Sequence, residues 1–148
     1  MSEYPHDVDA VWVAANGKGH VAAFVTAGEG PVPKELVDAM DLVIGDVEEA
    51  LLALPIVSDV LLEVSHPNMS SFIGMAKRGF FVYDWSDVHR ATKDSLKAYE
   101  RAVVPQSPIM LHQCVGRIGE ILRIAPVISG DFRRLLLPEA QLIWPSPF

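Results

Sequence analysis

The run whose residue types could most directly do chemistry is Asp84-Trp85-Ser86-Asp87-Val88-His89. In an extended chain successive side chains alternate between faces, so Asp87 and His89 would project to the same side. A carboxylate beside an imidazole orients it and favours its charged form, as general acid–base chemistry requires. With Asp84 just before them, and His20 or His66 brought in from a neighbouring strand, the same set suits metal-assisted hydrolysis. Alternatively, Asp87 and His89 close a strand or open a helix, where they satisfy backbone groups and meet water.

Other reactive residue types have simpler explanations. Ser65 and His66 are adjacent, so their side chains diverge, and Ser65-His66-Pro67-Asn68 reads as the start of a helix. Gly17-Lys18-Gly19 and Gly28-Glu29-Gly30 lack the spacing of a phosphate loop and are explained by turn chemistry. Cys114 is the only cysteine, which excludes an intramolecular disulfide, a cysteine zinc cluster and a CxxC redox pair. It falls among Leu111, Val115 and Ile118 on an apolar helical face, where a buried thiol is ordinary. The cysteine usage leads us to expect a reducing, cytoplasmic setting, and no motif calls for a cofactor or a resident metal.

A second kind of chemistry is recognition. Leu36, Met40, Val43, Ile44, Val47, Leu51 and Leu54 recur at helical spacing and leave Asp38, Asp41, Glu48 and Glu49 on other faces. The pattern predicts an amphipathic acidic helix, or two shorter ones if Asp46 and Glu49 form a capping box after Gly45. Clustered carboxylates on a rigid element steer and orient a partner with a basic surface; otherwise they form a plain solvent face. The formal net charge is -7 and is unevenly spread: residues 1–66 hold 12 acidic and 2 basic side chains, residues 67–148 hold 7 and 10. Repulsion from phosphates argues against nucleic acid as a ligand. Arg117, Arg123, Arg133 and Arg134 come without aromatic interleaving or a nucleic-acid motif.

These residues need a scaffold, and 148 residues suit one domain with its own core. Half of the residues are hydrophobic and the mean hydropathy is +0.25. That surplus predicts apolar surface covered by a partner or by a second copy, with the Trp144 to Phe148 tail as one contributor to self-association. No apolar run approaches the ~20 residues of a membrane span, and the first residues lack the basic and apolar regions of a signal peptide. No membrane association is expected.

Val11 to Ala14 and His20 to Thr26 flank Asn16-Gly17-Lys18-Gly19, a hairpin pattern. Val57 to Val64 reads as a strand, and Asn68 caps a helix carrying Met69, Phe72, Ile73 and Ala76 that ends at Gly79. Phe80 to Trp85 has the aromatic and β-branched density of a central strand. Residues 86–104 fit helix or strand, and Leu111 to Leu122 predict a helix of about three turns after Pro108. The expected fold is one α+β domain over residues 1–148, with an antiparallel or mixed sheet of four to six strands and helices mainly on one face.

The layout of Trp12-Val13-Ala14-Ala15-Asn16-Gly17, Thr26-Ala27-Gly28-Glu29-Gly30-Pro31 and Gly79-Phe80-Phe81-Val82-Tyr83-Asp84-Trp85-Ser86-Asp87 resembles small uncharacterised bacterial proteins. Some of these look like immunity proteins of polymorphic toxin systems. The resemblance spans roughly the first two-thirds of the chain and carries no diagnostic motif, so it transfers no residue role. It implies a non-enzymatic inhibitor of a basic toxin or effector. A small hydrolase using Asp84, Asp87 and His89 and a homo-oligomeric structural or ligand-binding domain are the alternatives.

Overall fold

The computed structural model describes residues 11–26, 32–33, 36, 47–63, 69–85, 98–125, 127–128, 131–132 and 136–138. Two strands, β1 (Val11–Ala15) and β2 (Val21–Val25), form the expected hairpin, with Trp12 opposite Phe24 and Val13 opposite Ala23. The turn closes because Asn16 Oδ1 accepts hydrogen bonds from the backbone N–H groups of Lys18 (3.0 Å) and His20 (3.1 Å). An Asn side chain thereby replaces a backbone acceptor where the chain must reverse.

The chain continues through α1 (Val47–Leu52), β3 (Val60–Leu62), α2 (Ser70–Lys77), β4 (Phe81–Trp85) and β5 (Ala98–Pro105). A 3-10 turn (Leu111–Gln113), α3 (Gly116–Ile124) and β6 (Leu136–Pro138) complete the described elements. The strands run in the order β1-β2-β4-β5-β3, with β6 also paired to β5. Among the described strands β2 and β4 pair in parallel, and the other pairs are antiparallel. The α+β class, the mixed sheet and the central place of β4 are as expected. The three described helices pack together, since α1 touches both α2 and α3, and each touches the sheet.

Strand alternation sorts the core. Pairing places Trp12, Phe24 and Tyr83 side by side on one face. Trp12 stacks on Phe24 at 4.2 Å between ring centroids, and Phe24 stacks on Tyr83 at 5.4 Å. Tyr99 meets Trp12 and Phe24 edge-on, and Phe132 meets Phe24 in the same way. Such offset and edge contacts suit the quadrupoles of the rings. The polar tips are satisfied: Trp12 Nε1 donates to the Tyr99 hydroxyl (3.1 Å), and the Tyr83 hydroxyl donates to the Phe132 carbonyl (3.0 Å).

Several sequence expectations shift. The strand expected over 57–64 shortens to three residues, because the N–H groups of Val57 and Ser58 turn to the Lys77 carbonyl at the end of α2. In the ambiguous 86–104 stretch a strand begins at Ala98; residues 86–97 lie outside the described set. The helix expected from Leu111 to Leu122 is two pieces, since Cys114 and Val115 are extended and Gly116 has φ +68°. The helix around Phe72 has Met69 at its N-cap position; Asn68 lies outside the described residues. Its end lies at Arg78, one residue before the expected glycine.

Gly79 is nonetheless required. It has φ +95°, and a Cβ there would come within 2.7 Å of the Ile109 backbone nitrogen. Gly79→Ala should destabilise the fold by more than about 1 kcal/mol, read from a denaturant midpoint. Tyr99→Phe removes the acceptor of the Trp12 indole and should cost about 1–3 kcal/mol. Tyr83→Phe should cost less, about 0.5–1.5 kcal/mol, because the Phe132 carbonyl keeps its bond from Arg101. Equal losses for the two tyrosine variants would contradict this assignment.

Candidate functional site

Of the proposed acid–base set, Asp84 is described and Asp87 and His89 are not. Asp84 lies in β4, half-buried, and the register sets it directly opposite Glu100 of β5. Cross-strand neighbours on one face sit about 5 Å apart, so two carboxylates share this end of the aromatic strand. His20 does not join them. Ala22 is level with Phe81 and Val25 with Asp84, so His20 lies roughly 16 Å back along the strand direction at about 3.3 Å per residue. Alternation also puts His20 on the face of Phe81, opposite to that of Asp84. His66 lies outside the described residues, and among those described no group of three His, Cys, Asp or Glu could hold a metal ion.

Of the acidic recognition set, Glu48 and Glu49 occupy the first turn of α1, where carboxylates also favour the positive end of the helix. Together with Leu52 and Ala53 they line an open hollow of about 580 Å³. Asp38 and Asp41 lie outside the described residues. The chain matches no protein-family model, no curated protein and no solved structure.

Two features escaped the sequence. All eight large hydrophobic side chains exposed among the described residues fall in two stretches. One is Ile56, Val57, Leu61 and Leu62 at β3; the other is Leu111, Val115, Ile124 and Val127 around α3. Leu61 and Leu62 are 56% and 55% exposed. As neighbours in a strand they point to opposite faces, so apolar surface is exposed on both faces of this end strand. Only the surplus hydropathy hinted at such surface. The other feature is Arg101, which joins three elements: its guanidinium pairs with both oxygens of Glu63, one bond measuring 2.9 Å, and donates to the Phe132 carbonyl at 3.0 Å. Burial alone would lower its pKa, but the hydrogen bond and charge of Glu63 hold it above the ordinary value.

Cys114 sits at the joint between the 3-10 turn and α3, and burial pushes its thiol up to about 11. The thiolate, which is the nucleophile, is therefore scarce at neutral pH. Two pKa units above the ordinary value of 9.0 mean roughly 100-fold less thiolate at pH 8. Alkylation by iodoacetamide should be at least about that much slower in the native protein than in denaturant. Comparable rates in the two states would show that burial does not suppress this thiol.

Proposed function

We propose that this chain is a non-enzymatic protein-binding domain, an immunity-type inhibitor of a basic toxin or effector. The observation that supports it best is the end strand β3, where Leu61 and Leu62 are exposed on both faces and no further strand pairs among the described residues. Natural proteins avoid apolar edges unless something covers them. The carboxylates of Glu48 and Glu49 favour a basic partner by long-range attraction, with Asp38 and Asp41 of the same sequence pattern assigned alongside them. A hydrolase built on Asp84, Asp87 and His89 is the second reading; the half-buried Glu100 opposite Asp84 is the polar group it would recruit.

Binding of the partner captured from the source cell, followed by surface plasmon resonance, tests the assignment. Glu48→Lys with Glu49→Lys should slow association about tenfold at low salt and flatten its salt dependence. Leu61→Lys with Leu62→Lys should instead speed dissociation by at least about tenfold, with an unchanged melting temperature showing that the fold persists. Unchanged kinetics in both double variants would remove these surfaces from the interface.

A further inference from the structure

The tip of the β1–β2 hairpin holds two buried polar atoms without a hydrogen-bond partner among the described residues: Nδ2 of Asn16 and Nδ1 of His20. Asn16 is only 4% exposed. Its amide orientation is settled by the turn, because the N–H groups of Lys18 and His20 both point at Oδ1. Flipping the amide would set those two donors against a third. Nδ2 must therefore donate elsewhere, and a buried donor without an acceptor is costly.

The register supplies the partner. Ala15 pairs with Val21, and Asn16 N donates to the His20 carbonyl at 3.0 Å, so Asn16 and His20 are directly opposite. Alternation puts both on the face of Trp12 and Phe24. The His20 ring is held edge-on to Phe81 at 5.7 Å, with its backbone-proximal nitrogen buried. Hydrogen-bonded antiparallel neighbours have Cα atoms about 5.5 Å apart. Side chains that rise on one face from Cα atoms so spaced lie within reach of a single bridging water.

We propose that the Asn16–His20 pair is a binding site for a single internal water molecule. The water accepts a hydrogen bond from Asn16 Nδ2–H and donates one to His20 Nδ1, which places the imidazole proton on Nε2. The ligand is neutral and both donor and acceptor. A cation is unsuitable because an amide nitrogen does not ligate it. An anion would need a compensating charge, and the nearby Lys18 ammonium is engaged by Asp131 at 3.3 Å. The site lies where the chain after α3 joins the sheet, with Ile128 N donating to the Ala15 carbonyl at 2.9 Å. The water therefore fastens the hairpin tip at the point where that segment crosses it.

A high-resolution crystal structure of the full chain, with long-range nitrogen–proton NMR of His20, tests the site. Expected are a water oxygen within about 3.2 Å of both nitrogens, the Nε2–H tautomer at neutral pH, and a water-to-side-chain Overhauser contact at the Asn16 amide protons. Protein-filled space at that position, a direct Asn16–His20 bond, a monatomic ion in place of the water, or the Nδ1–H tautomer would each overturn the proposal.

Discussion

The stacked rings of Trp12, Phe24 and Tyr83 hold together the strands on which everything else depends. One ring comes from each of β1, β2 and β4, and Tyr99 brings β5 into the same cluster. The parallel pairing of β2 with β4 lies beneath this stack. Parallel neighbours cannot be joined by a tight turn, so their alignment must come from packing. Large rings in fixed geometry contribute both buried area and directional contact. Phe132 closes the cluster from outside the regular strands. Its carbonyl accepts from both Tyr83 and Arg101, tying that remote segment to the sheet.

Arg101 carries this order outward. β5 gains an extra residue opposite β4, the register slipping between Val82 and Tyr83, and such a bulge re-aims the side chains beside it. Arg101 then faces Tyr83 and reaches both Phe132 and Glu63. Beyond Glu63 the sheet ends in β3, a strand of three residues whose two leucines meet solvent. A rigid aromatic centre thus leads to an edge whose apolar side chains remain more than half exposed.

Local chemistry made the centre legible. The hairpin followed from Asn16-Gly17-Lys18-Gly19 between β-branched runs, and β4 from the density of aromatics between Phe80 and Trp85. What could not be read locally depended on distant partners. Val57 and Ser58 look like strand residues, yet their N–H groups are taken by the end of α2. Leu111 to Leu122 has helical spacing, yet Gly116 adopts a backbone conformation that interrupts the helix. Phe132 sits in a weakly patterned tail, and its burial is evident only once Tyr83 and Arg101 are placed. At the candidate sites, Asp84 and Glu100 meet through register alone. His20 is separated from Asp84 by both distance and face, which the parallel pairing of β2 with β4 determines. No local pattern in one sequence reports that.

Native mass spectrometry of the protein, isolated gently from its source cell, tests the binding assignment most directly, because it weighs protein partners, self-association and bound metal together. A protein-binding domain should appear as a stoichiometric complex with a second, basic protein. A chain that flies alone, as a homo-oligomer, or carrying only a metal would contradict it, the last case directing attention to Asp84, Asp87 and His89.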